Sequence, residues 1–159
     1  VFPFQVNGGP EVEKLRGELQ GMIIERLSAK GVPVLNAEGT TKILQQMKVG
    51  SLDLATVRNV ASKVGATHAV YGSLTQVGDG YSIDGRLVPV KGDGAAIPIV
   101  VESKGMATVV GSIDELADRV AAVAVSRQVL ADQAADLTSF ERDRIVHDNV
   151  RELYRLPVQ

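Results

Sequence analysis

The turn Asn7-Gly8-Gly9-Pro10 is the first place where this chain could do chemistry. Backbone amides between a strand and a helix can hold an anion. Pro10 removes one donor, Glu11 and Glu13 repel phosphate, and no GxGxxG or Walker-type pattern is present, so a structural turn is the stronger reading. The two histidines, His68 and His147, stand in a strand start and a charged tail, without carboxylates at metal-ligand spacing. The carboxylates have local explanations. Asp79 suits a turn, Asp53 and Asp114 suit helix starts, and Asp93 sits in a glycine loop without calcium-loop spacing. No pair of carboxylates in contrasting environments offers acid–base work, no GxSxG elbow offers a nucleophile, and cysteine is absent. The expectation is therefore a chain that is not an enzyme, with no cofactor and no metal. Nucleic acid is not an expected partner either. Arg142, Arg144, Arg151 and Arg155 are offset by Glu141, Asp143, Asp148 and Glu152, and aromatic residues, at 4%, are too few for a base-stacking platform.

The elements that would position these residues read clearly in parts. Val1–Val6 is rich in aromatic and β-branched residues and predicts a strand, with Pro3 tolerable near its start or on an edge. From Glu11 to Lys30, apolar Val12, Leu15, Leu19, Met22, Ile23 and Leu27 recur at three and four residues and predict one amphipathic helix, opened by Pro10 and stopped by Gly31. Val32–Leu35 reads as a short second strand, and Thr40–Met47 as a short helix. Asp53 can cap a third helix that ends at Gly65.

Two β-rich runs, Thr67–Val77 and Tyr81–Val90, flank Gly78-Asp79-Gly80 and predict a hairpin. With Asp79-Gly80 as a type I′ loop, Val70, Gly72 and Leu74 share one face with Ile83, Gly85 and Leu87. The other face pairs Tyr71 with Val88, Ser73 with Arg86, Thr75 with Asp84 and Val77 with Ser82. A slip of one residue would mix apolar and polar side chains. Ile97–Ser103 predicts an edge-leaning strand containing Pro98. Ser112 to about Leu130 predicts a helix opened by a Ser112/Glu115 capping box. Ala131–Asp136 reads as a linker or fading helix, followed by a charged helix with Val146, Val150, Leu153 and Tyr154 on a narrow stripe.

The resulting fold class is α/β. A mixed parallel and antiparallel sheet is covered by helices mainly on one face, with a C-terminal tail helix. The domain reading is 1–130 for the α/β body and 131–159 for the linker and tail. Composition agrees: 159 residues, 45% hydrophobic, 23% charged and a net charge of −2 describe a globular chain without a broad basic surface. A chain of this size buries roughly 70% of its unfolded surface without needing a metal or disulfide. No run reaches the roughly 20 apolar residues of a membrane span, and no charged and apolar leader pattern is visible.

The stretch Gly65 to Val88, with Tyr71-Gly72-Ser73, the Gly78-Asp79-Gly80 turn and Arg86-Leu87, resembles the TolB amino-terminal domain and its FlgO, CsgG and LpoB-like relatives in bacterial envelopes. Val1-Phe2-Pro3-Phe4 resembles the first strand of that family and Glu11–Lys30 its first helix. Similar domains precede larger modules in some deltaproteobacterial envelope proteins. The resemblance covers about residues 1–130. It implies a non-enzymatic interaction or scaffolding module, periplasmic or outer-membrane associated, whose partners are envelope proteins or a downstream domain of the same chain. Candidate contact residues are Tyr71, Ser73, Thr75, Asp84 and Arg86 on the half-polar sheet face, a free strand edge, and the tail stripe Val146, Val150, Leu153 and Tyr154, through which a homo-oligomer could form. The alternative reading is a small-molecule or anion-binding domain that uses the loop 7–10.

Overall fold

The computed structural model describes residues 1–92 and 94–135, with side chains described to Ser126. Among the described residues, four strands form one sheet: β1 (Gln5–Asn7), β2 (His68–Val77), β3 (Gly80–Pro89) and β4 (Ile97–Lys104). Their order is β1-β2-β3-β4, with β1 parallel to β2 and the other neighbours antiparallel. The helices are α1 (Pro10–Glu13), a 3₁₀ turn (Lys14–Gly17), α2 (Leu19–Ala29), α3 (Ala37–Gln46), α4 (Leu54–Lys63) and α5 (Met106–Ala135). The chain divides into two units, Val1–Ala122 and Val123–Gln159. The sequence-derived tail helix and its stripe lie outside the described residues.

The hairpin forms with a loop one residue earlier than expected. Gly78-Asp79 is the two-residue turn, and Val77 pairs with Gly80. Gly78 has φ +63 while Asp79 does not have a positive φ. That is the sign pattern of a type II′ turn, which asks for glycine only at its first central position. Each pairing consequently moves by two: Leu74 lies opposite Ile83, and Tyr71 opposite Arg86. A shift of two preserves every side chain's face, so the sorting of apolar from polar residues is as the sequence indicates.

One face is closed along its length. Val6, Leu74, Ile83 and Val101 form a buried row across all four strands. In the next row Gly72 pairs with Gly85 and Gly85 with Ile99. A Cβ on Gly72 would stand 2.9 Å from Phe4 Cε1, and one on Gly85 would stand 2.8 Å from Leu116 Cδ1 of α5. The two glycines therefore let an aromatic ring and a helix reach the sheet. Arg26 and Lys30 of α2 form ion pairs with Asp114 and Asp118 of α5. The opposite face is covered at one end only. There Ala69 and Val88 pack with Phe2, Val57, Val60 and Ala61, and Ile43, Leu44 and Met47 border the cluster.

Several helix boundaries differ from the sequence reading. The helix expected over Glu11–Lys30 is broken by the 3₁₀ turn, where Arg16 turns back to the carbonyl of Val6 and Gly17 is a weak helix former. Val32–Leu35 forms no strand: Val32 N closes α2 on Leu27 O, and Pro33 has no amide proton to give a ladder. The helix expected over Thr40–Met47, α3, begins at Ala37 because Asn36 Oδ1 accepts from Gly39 N at 2.7 Å. Asp53 caps α4 as expected, accepting from Thr56 N at 2.7 Å, and Gly65 follows it with φ +70. The helix expected from Ser112, α5, begins at Met106 instead, directly after Gly105 with φ +83. Ser112 Oγ donates to Thr108 O within the helix, so it is not a cap, and Asp114 is not at a helix start. The helix also extends through 131–135, the segment read as a linker or fading helix.

Candidate functional site

The sheet face that the helices leave open among the described residues holds the five sheet residues singled out above. Antiparallel pairing sets Tyr71 beside Arg86, Ser73 beside Asp84 and Thr75 beside Ser82, and Val100 of β4 continues the row from Asp84. Tyr71 is half-buried against the α4 cluster. Ser73 and Thr75 are half-buried, and Asp84 and Arg86 are exposed. Asp84 Oδ2 accepts from Ser82 Oγ at 3.0 Å. Among the described residues, the Arg86 guanidinium has no hydrogen bond or ion pair. Val100 is 43% exposed, a large apolar side chain beside these polar groups that the sequence reading did not select. Its signal was the alternation of Ile99 and Val101 inward with Val100 outward. A cation, a carboxylate and an apolar contact within one patch suit a protein surface. They do not make a reaction centre. Val146, Val150, Leu153 and Tyr154 lie outside the described residues.

The loop proposed for an anion is filled by protein. Gln76 Oε1 accepts from Gly9 N at 3.0 Å, and Gln76 Nε2 donates to Gly78 O at 3.1 Å. A Cβ on Gly8 would stand 2.8 Å from Gln76 Cβ, so side chain and loop are in close contact. The helix that follows is a single turn, Pro10–Glu13. Within residues 7–10 the Gly9 amide is thus taken by Gln76 rather than turned to an anion. An open depression of about 360 Å³ lies elsewhere, between the end of α3 and the start of α4. Its lining includes Met47, Lys48, Ser51, Thr56 and Asn59, with no convergent set of charged groups. Among the described residues there is no group of three His, Asp or Glu able to hold a metal, and no helix is long and apolar enough to cross a membrane.

The strand edges are not free in the way the sequence suggests. In an antiparallel ladder, alternate residues turn their backbone groups to opposite sides. The turn makes Val77 and Gly80 a hydrogen-bonded pair, so Ser82, Asp84 and Arg86 face β2. Their β4 partners Glu102, Val100 and Pro98 then turn outward. Pro98 fits because its missing N–H falls on the unpaired side. Arg119 Nη1 of α5 donates to the outward carbonyl of Val100 at 3.0 Å, and its Nη2 is held by Glu115. At the other edge, Arg16 Nη2 donates to Val6 O at 2.9 Å, and Glu13 holds the same guanidinium. The hydrogen bond from Arg16 lowers the pKa of Glu13 below the ordinary carboxylate value, and Glu13 raises that of Arg16.

No protein-family model matches the chain. A stretch of 63 residues, 40% of the chain, is 41% identical to the outer membrane protein assembly factor BamA of Nitratidesulfovibrio vulgaris. The matched stretch spans 8% of the length of that protein. Among solved structures, the chain is similar to the lipoprotein GNA1162 of Neisseria meningitidis, with a TM-score of 0.51 and 19% identity over 86% of this chain and 96% of that one. It is also similar to the LpoB C-terminal domain of Salmonella enterica, with a TM-score of 0.44 and 15% identity over 65% of this chain and 77% of that one. At these identities the Neisseria structure speaks for a shared fold.

Proposed function

We propose that this chain is a non-enzymatic, TolB-like interaction module of a Gram-negative cell envelope, periplasmic or outer-membrane associated. It works by surface contact with envelope proteins or with a downstream domain of its own chain. The observation that carries the contact reading is the sheet face left open at Ser73, Asp84, Arg86 and Val100, while the other face is sealed by Phe4 and Leu116. The 63-residue likeness to an outer-membrane assembly factor supports the setting. Exposed apolar area beside unpaired charge is what a modest protein interface uses: the apolar part drives association and the charge selects the partner.

The test is site-specific photo-crosslinking in cells, with a photoreactive residue at Ser73 or Asp84 of the full-length protein and a control at exposed Lys42 on α3. Adducts with envelope proteins at the sheet positions, absent at Lys42, are expected. No adducts, or the same adducts at Lys42, would remove the sheet face from the mechanism. Residues 137–159 are proposed as a second contact. Deleting them should change the partners recovered from envelope extract, and an unchanged set eliminates the tail.

A further inference from the structure

We propose that Arg119, braced by Glu115, guards the β4 edge against pairing with β4 of a second copy of this chain. The geometry carries three parts of this. First, β4 is an eight-residue edge strand whose outward amides and carbonyls at Val100 and Glu102 have the form of a template for another strand. Second, Arg119 occupies the Val100 carbonyl, the central acceptor of that edge. Third, the same device stands on the opposite edge, where Arg16, braced by Glu13, occupies the Val6 carbonyl. The two pairs differ in spacing and in setting, being i,i+3 from the end of α1 into the 3₁₀ turn and i,i+4 within α5. A recurring solution at both ends of the sheet points to edge protection as the shared role. Exposed ion pairs contribute little to folding stability, so blocking is the more consequential effect of the arrangement.

A second copy is the occupant because β4 is self-complementary when antiparallel. With Val100 opposite Val100 of the other copy, the two outward backbones exchange a pair of hydrogen bonds. The valine side chains meet on the open face, and Ile99 meets Val101 on the helix face. Glu102 falls opposite Pro98, away from its own like charge. The guard keeps this pairing closed at ordinary concentrations.

Sedimentation of the full chain tests the idea with Arg119→Ala and, as a milder variant that retains the arginine stem, Glu115→Ala. Arg119→Ala should tighten self-association at least tenfold over the wild type, and Glu115→Ala should act in the same direction. Adding Val100→Pro removes the outward N–H and the valine side chain at the centre of the pairing, takes no donor from the ladder to β3, and should return the double variant to wild-type behaviour. In the associated form, hydrogen exchange at the Val100 and Glu102 amides should slow at least tenfold. Wild-type association in both guard variants overturns the proposal. So does association that Val100→Pro leaves intact, or that leaves those two amides unprotected. If Arg119→Ala does not fold, the Glu115→Ala result decides.

Discussion

Replacing Gly72 by alanine should damage this fold more than the same change at its cross-strand partner Gly85. A Cβ on Gly72 would stand 2.1 Å from the carbonyl oxygen of Asp84 and 2.9 Å from Phe4 Cε1. Ordinary carbon–oxygen contact is about 3.3 Å, so β2 and β3 would have to separate by about 1.2 Å at that point. Backbone atoms cannot rotate aside, and a separation of that size breaks one or two ladder hydrogen bonds at about 1 kcal/mol each. Overpacking against Phe4 adds about 1–2 kcal/mol. The total is about 2–4 kcal/mol, or about 4–16 °C in Tm for a chain of this length. At Gly85 the nearest atom is the Leu116 methyl Cδ1 at 2.8 Å, the end of a side chain that can change rotamer, and the closest backbone atom is 3.4 Å away. A cost of about 1 kcal/mol is expected there. Urea and thermal unfolding of both variants, followed by circular dichroism, make the comparison. If Gly85→Ala is the more destabilised, or if Gly72→Ala unfolds with the wild type, the close approach of the two strands at Gly72 is wrong.

Three further outcomes follow from local geometry. Asn36→Ala removes the acceptor for Gly39 N and should lower stability by about 1 kcal/mol, read as a lower urea midpoint at unchanged slope. Lys48 has φ +51 in the turn after α3, and Lys48→Gly should raise stability by about 0.5–1 kcal/mol in the same assay. The pKa of Asp53 is lowered from 3.8, first by the backbone hydrogen bond from Thr56. Its contribution is therefore fully present above pH 3.8 and is lost as pH falls through the lower folded value. Asp53→Asn keeps the cap but removes the charge. Its stability should match the wild type more closely at pH 3 than at pH 7, and an unchanged difference between the two pH values would refute the assignment.

The hairpin shows how far a sequence reading reaches here. Side-chain parity was legible because only one phase sorts Leu74 and Ile83 away from Thr75 and Ser82. The loop itself was ambiguous because Asp79 has glycine on both sides, and both two-residue loops give the same parity. Gly78 prevails through its positive φ. Val32–Leu35 has strand composition, but a strand needs an adjacent edge, and α2 and α3 follow each other without one. The break in the first helix was hidden because Arg16 bonds to Val6 across the fold. The same reason conceals Arg119 and Gln76, whose acceptor and donor lie on other elements. Of the open face, Tyr71, Ser73, Thr75, Asp84 and Arg86 could be selected from alternation alone. Their degree of exposure could not, because it depends on where α4 ends.

The parallel pairing of β1 with β2 bears on the order in which the chain assembles. Val6 meets Leu74, so 67 residues lie in the loop that this contact closes, whereas Val77 meets Gly80 across a two-residue turn. Closing a long loop costs entropy before any contact repays it. The antiparallel ribbon of β2, β3 and β4 should therefore nucleate early, with the amino-terminal strand arriving last. Until it arrives, Phe2 and Phe4 are two uncovered aromatic rings. During that interval the nascent protein is at its most vulnerable to holdase capture and to misassembly.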